Sequence, residues 1–231
     1  MTAQTFVENA GRPVTGNKSI QKRKLLLGEG QDEALFFTAM LKHLGKDDVQ
    51  VLPYDGKHKL SSTLGVLMAD PKWLDVEAIL ITRDADFPAE RSLESAAHAA
   101  WKSVTAALRS RGLPVPNAHA EVHAGSDSST GSALRVGIFI LPDGVSDGML
   151  EDLCLAAAVG DPVMPCLEEY FRCIEAKSGG LQRHVLPKAR AHVYLASRPV
   201  PDKRVGEAAV AGYWPWGAPA LAPLLSFVRS A

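Results

Sequence analysis

The chain has 231 residues, a formal net charge of −1 and 46% hydrophobic content, enough for one sizeable core or a core with a smaller appended lobe. No apolar stretch approaches the roughly 20 residues that span a bilayer, and residues 1–17 lack the apolar centre of an export signal, so a cytoplasmic protein is expected. The near-neutral total does not by itself demand a polyanionic partner.

A polar leader over residues 1–20 is followed by a short buried strand at 24–27. Residues 31–44 place Leu35, Phe36, Ala39, Met40 and Leu44 at the spacing of an amphipathic helix. A second strand is predicted at 49–52, a helix at 60–68 and a third strand at 78–82. This third run is continuously apolar, as in a central parallel strand covered on both faces. Residues 90–111 read as a long Ala-rich helix stopped by Gly112, 119–123 as an edge strand, and 125–132 as a mobile Gly/Ser/Asp loop. A fourth strong strand at 135–141 precedes helices at 148–159, capped by Ser146 or Asp147, and at 165–177. Residues 188–196 fit a helix or an extended segment equally, and a last helix is predicted at 219–229. Trp214 and Trp216 flank Pro215, a pattern that locks a terminal segment onto a core.

Strands alternating with helices predict an α/β three-layer sandwich with a mainly parallel central sheet and right-handed crossovers. The expected organisation is an α/β domain over residues 21–160 with a mainly helical extension over 161–231. Cys154, Cys166 and Cys173 form no CxxC pair and are expected as buried reduced thiols.

Carboxylates recur where strands end. Glu29 follows the first strand between Gly28 and Gly30, Asp84 and Asp86 follow the third, and Asp143 follows the fourth, with Glu151 in the next helix. In an open parallel sheet such positions converge on one crevice, and acids gathered there repel one another unless a divalent cation sits among them. Glu29 stands where a cap would be Ser, Thr, Asp or Asn, which favours a functional role. Asp32 and Glu33 are read as first-turn acids complementing the helix dipole, with Asp32 as a cap. Glu151 fits a metal ligand or a dipole partner equally. Gly30, Gly56, Lys57 and Lys59 are candidate phosphate contacts, although a plain turn with solvated lysines fits Lys57 and Lys59 too. Arg83 could meet a phosphate or a carboxylate. Residues 183–204 hold six basic residues against the single acid Asp202, a solvated face or a polyanion contact.

Other chemistries lack their signatures. There is no HxH or HExxH set for zinc, no GxSxG elbow and no GxxxxGK[ST] phosphate loop. A haloacid-dehalogenase-type phosphatase would carry a hydroxyl residue two positions beyond the DxD, where Pro88 stands.

The segments Leu25-Leu26-Leu27-Gly28-Glu29-Gly30-Gln31-Asp32, Tyr54-Asp55-Gly56-Lys57-His58-Lys59-Leu60 and Ile79-Leu80-Ile81-Thr82-Arg83-Asp84-Ala85-Asp86 resemble the Toprim domain of topoisomerases, primases and the overcoming-lysogenization-defect (OLD) nucleases. The segments 137–143 and 150–153 resemble Toprim-like proteins of the DUF3226 type. The resemblance implies Glu29 as general acid/base or metal ligand, Asp84 and Asp86 as metal ligands, and Asp143 and Glu151 as later acids of an OLD-like site. It implies Mg²⁺, with Mn²⁺ able to replace it. Pro88 occupies the place of the third acid of the topoisomerase pattern, and no strand-passage region with a catalytic tyrosine follows. The expectation is therefore a metal-dependent nuclease or nuclease-related factor acting on DNA or RNA. The rival is a non-catalytic Toprim-like module that binds nucleic acid or an ATPase partner.

Overall fold

The computed structural model describes residues 19–88 and 93–231. Five strands form one sheet: β1 (Lys24–Gly28), β2 (Val49–Pro53), β3 (Ala78–Asp84), β4 (Val122–Ser126) and β5 (Ala133–Leu141). Their spatial order is β2-β1-β3-β5-β4, with all neighbours parallel except the β4–β5 pair. The third apolar run is therefore central, flanked by β1 with Leu27 opposite Ile81 and by β5 with Asp84 opposite Leu141.

Successive side chains on a strand point to opposite faces, and each face has its own core. Leu25, Leu27, Ile79, Ile81, Val136 and Ile138 pack with Leu60, Leu64 and Leu67 of α2 (Leu60–Met68) and with Val104 and Leu108 of α3 (Ala96–Ser110). Leu26, Leu80, Phe139 and Leu141 face the other way. They pack on α1 (Gln31–His43), α4 (Leu150–Ala157) and the C-terminal helices α5 (Met164–Ser178), α6 (Leu186–Ala196), α7 (Val205–Val210) and α8 (Ala222–Arg229). Coverage on both faces explains why β1 and β3 read as unbroken apolar runs. At Gly137 of β5 a Cβ would come within 2.7 Å of the Phe227 ring, so α8 lies against bare backbone there. Trp214, buried, stacks on Tyr194 and donates to the Val205 carbonyl at 2.9 Å. The Trp-Pro-Trp segment thus ties α6 to the start of α7 and, through Trp216 against Phe36, to α1.

Several boundaries differ from expectation. Of the helix expected at 90–111, residues 90–92 lie outside the described set, and α3 begins at Ala96 because the Ser95 hydroxyl accepts the His98 N–H at 3.2 Å. Neither Ser146 nor Asp147 caps α4. Ser146 bonds to Asp143, and the Asp147 carboxylate accepts the Ala96 N–H and meets Arg183. The α4 start is held instead by Asp152, which accepts the Met149 N–H at 2.9 Å. The edge strand runs 122–126 rather than 119–123. The loop after it is pinned by Asp127, which is 1% exposed and accepts the Trp73 indole N–H at 2.7 Å. Residues 188–196 are helical. Cys154 is buried as expected, but Cys166 and Cys173 are exposed because α5 turns Met164, Leu167 and Phe171 inward. Among the described residues no helix is long and apolar enough to cross a membrane.

Candidate active site

The carboxyl ends of β1 and β3 lie side by side, and the chain beyond each carries an acid. Glu29 sits in the turn between β1 and α1. Its carbonyl accepts the Gly56 N–H at 2.9 Å, which holds the loop after β2 against it. Asp84 ends β3, and its Oδ1 accepts the Leu150 N–H at 2.9 Å, at the first residue of α4. Asp86, at φ 64°, exchanges two backbone hydrogen bonds of 2.8 Å with Gly148. The DxD loop is thereby joined to the segment leading into α4, and Glu151 is delivered to the same crevice. The outcome is a cleft of about 340 Å³ lined by Gly30, Asp32, Glu33, Asp84 and Glu151, with α6 and the start of α7 as its far wall.

These acids feel one another. Burial, and then the charges of Glu33, Glu151 and Glu29, push the Asp84 carboxyl well above its ordinary range, against the Leu150 N–H. Burial raises Glu29 from 4.5 to about 7, reinforced by Asp86 and Glu33 and opposed by Arg83 and Lys57. Glu151 rises from 4.5 to about 7, chiefly through burial, with Lys188 opposing and Glu33 and Asp32 adding. Burial and Asp32 likewise raise Glu33, which Lys188 opposes. Like charges in a desolvated crevice take up protons or a cation.

The expected residues divide in two groups. Asp84 and Glu151 line the cleft; Glu29 lies near both Asp84 and Asp86 without lining it, and Lys57 reaches Asp86 at 3.1 Å. Gly30 lines the cleft, while Gly56 supports Glu29 from behind. Lys59 is exposed beyond the loop. Asp143 is not brought in. Its carboxylate accepts the Val145 and Ser146 N–H groups and the Ser146 hydroxyl at 2.9, 2.7 and 2.7 Å. Burial works against it, but those bonds hold the carboxyl below its usual range. Arg83 is outside the cleft lining: it is 8% exposed and donates to the Ser103 hydroxyl at 2.7 Å on the α3 side of the sheet, yet its charge still reaches Glu29.

Sequence reasoning undervalued Asp32 and Glu33. Glu33 lies among Asp84, Glu29 and Glu151, and its place one helical turn after Glu29 was the signal that could have found it. Asp32 does cap a helix, but not its own. Its Oδ1 accepts the Gly206 N–H at 2.9 Å, at the start of α7. The cleft's far wall is formed by Lys188, Ala191, His192, Leu195 and Arg204, a contribution of α6 and the approach to α7 that no local motif announces. The basic segment is largely engaged internally. Arg183 pairs with Asp147, Arg190 with Glu168, Arg198 with Asp161, and Arg204 with Glu207.

An all-oxygen donor set of this kind suits a hard cation such as Mg²⁺ or Mn²⁺. Glu29 Oε2 is buried and, among the described residues, has no hydrogen-bond partner, so it fits the handling of a proton better than it fits a capping role. Among the described residues no group of three or more His, Cys, Asp or Glu side chains is already gathered closely enough to hold a metal ion.

Comparison with known proteins bears on the fold and the family. No curated protein matches the chain. The crystal structure of hypothetical protein PH0156 from Pyrococcus horikoshii OT3 is similar over 91% of this chain and 95% of its own, at 16% identity and a TM-score of 0.56. The C-terminal region of the Burkholderia pseudomallei OLD protein aligns over 91% of this chain and 98% of its own, at 15% identity and a TM-score of 0.48. The family model described as "Protein of unknown function (DUF3226)" matches residues 23–231, which cover the whole sheet, the acid crevice and the C-terminal wall, and the chain belongs to that family.

Proposed function

We propose that this chain is a divalent-metal-dependent phosphoryl-transfer protein of nuclease type, acting on DNA or RNA. The observation that carries this reading is the buried, unpartnered Glu29 Oε2 beside Asp84, itself set among Glu33, Glu151 and Glu29. Asp84, Glu33 and Glu151 would hold Mg²⁺, or Mn²⁺ in its place, with Asp86 at the edge of the set and Glu29 left free of the ion to handle a proton. When bound, the ion supplies charge neutralisation of the phosphate and a water acidic enough to act as nucleophile.

The chain's own residues supply the rest. The Leu150 N–H fixes one oxygen of Asp84, so the carboxylate presents its other oxygen without rotating. Glu29, raised to about 7 by its burial, is suited to exchange a proton at Oε2 near neutral pH. Lys57 restrains Asp86. The pairing of the arginines in residues 183–204 with local acids gives the rival, a passive polyanion-binding face, no particular support.

The test is Mn²⁺- and Mg²⁺-dependent cleavage of single- and double-stranded DNA and RNA by wild type and Asp84→Asn. Asparagine keeps the acceptor for Leu150 N–H, so the fold is preserved. Loss of cleavage in the variant supports the reading. Equal cleavage by both proteins attributes the activity to a contaminant, and no cleavage by wild type with either metal removes the reading.

A further inference from the structure

The wall of the cleft opposite the acids has a character of its own. Lys188, Ala191, His192 and Leu195 recur at three- and four-residue spacing and so share one face of α6. Arg204, immediately before α7, and Val205 complete that wall. Glu33 and Asp84 are half-buried, whereas Lys188, His192 and Arg204 are exposed at the mouth. A ligand in the cleft therefore meets carboxylates at one end and cations at the rim, over a floor where Ala191, Leu195 and Val205 are almost wholly covered.

The size of the space narrows the ligand further. At about 340 Å³ the cleft lies at the low end of the ~300–1,000 Å³ typical of small-ligand sites, room for one nucleotide-sized group. A duplex is far bulkier, with a major groove alone about 12 Å wide. The cleft is bounded by α1, α4, α6 and the start of α7. A phosphate in the middle of a base-paired helix could reach Asp84 only by leaving that helix, whereas a chain end can enter.

We propose that the cleft takes a single terminal nucleotide, free or at the end of a single strand. Arg204 and His192 hold its phosphate oxygens at the rim, Arg204 exchanging its exposed 3.8 Å pair with Glu207 for the phosphate. This rests on the reading of the cleft as a phosphoryl-transfer site and adds that the reaction proceeds from ends.

Two measurements test it and separate it from that reading. Calorimetry with adenosine 5′-monophosphate and Mg²⁺ should show binding to the wild-type protein. Arg204→Ala should weaken it about tenfold, the worth of one charge-assisted hydrogen bond. That change removes the exposed 3.8 Å pair with Glu207 but leaves the Arg204 backbone N–H bond to Glu207 at 2.9 Å, so the fold is retained. In the second measurement one oligonucleotide sequence is supplied with Mn²⁺ as a linear single strand and as a covalently closed circle. The linear strand should be shortened to mononucleotides while the circle resists. A circle cut as fast as the linear strand overturns the proposal, as does an absence of nucleotide binding or binding indifferent to Arg204→Ala. Nucleotide binding without cleavage of either DNA upholds the ligand and removes the hydrolytic reading instead.

Discussion

Asp32 and Gly206, 174 positions apart, are joined by a 2.9 Å hydrogen bond from the Gly206 N–H to the Asp32 carboxylate. The bond ties the first turn of α1 to the start of α7, and thereby one wall of the acid cleft to the other. The approach is closer than any side chain allows. A Cβ on Gly206 would lie 2.2 Å from the Asp32 carbonyl oxygen and 2.8 Å from the Leu35 Cβ.

Gly206→Ala should therefore destabilise the protein by about 1–3 kcal/mol, the usual cost of overpacking. Urea denaturation measures it. Gly160→Ala, where a Cβ meets nothing within 4 Å, is the matched control. Equal midpoints for the two variants would contradict the close α1–α7 crossing.

Metal-free protein should lose stability as pH rises through neutrality. Burial lifts Glu29 and Glu151 from 4.5 to about 7, so the folded state holds protons that the unfolded chain releases. The stabilisation from these two groups is complete below about pH 4.5 and is lost as pH climbs through about 7. Thermal unfolding in EDTA should give a midpoint lower at pH 8 than at pH 5.5. Glu29→Gln should flatten that dependence. Burial lowers His119 and gives it the opposite trend over the same interval, so the comparison with Glu29→Gln decides: a dependence identical in wild type and variant would be incompatible with the crowded carboxylates.

Mg²⁺ or Mn²⁺ should raise the unfolding midpoint, and more at pH 8 than at pH 5.5, because the cation competes with protons for the same oxygens. At an ion concentration about 100 times the dissociation constant, the gain is about 2.7 kcal/mol. Asp84→Asn should abolish it, whereas Asp143→Ala should leave it intact, since Asp143 spends its oxygens on Val145 and Ser146. A thermal-shift titration distinguishes the two. Loss of the cation effect in Asp143→Ala would return that residue to the site.

Asp127→Ala should cost about 1–3 kcal/mol by leaving the buried Trp73 indole N–H without its acceptor. Changing Trp73 to Phe at the same time should recover part of that loss, because both partners are then removed. Comparing the single and double variants by chemical denaturation tests it.

The architecture was legible because both faces of the sheet are covered. Leu25 to Leu27 and Ile79 to Ile81 announce central strands without help from distant contacts. Glu29 and the Asp84/Asp86 pair were legible for a related reason, since strand ends in a parallel sheet face one crevice. Asp143 shows the limit of that rule. It follows β5 as Asp84 ends β3, yet two backbone N–H groups and a hydroxyl within three residues hold its carboxylate in its own loop. Glu33 and Asp32 were hidden by the opposite ambiguity, because acids in a first helical turn satisfy the dipole in any protein. Lys188, His192 and Arg204 could not be placed, because their proximity to the acids is set by packing of α6 on α4 and of α7 on α1. Neither contact leaves a local pattern.

The double backbone clasp between Asp86 and Gly148 has a consequence for how such a cleft can diversify. It welds the tip of β3 to the approach to α4, so the scaffold behind Asp84 and Glu151 shifts as one piece or not at all. Substitutions in either loop perturb both acids together. The α6 face and Arg204 stand outside that weld, and there the ligand preference of this cleft can be retuned while the acids keep their places.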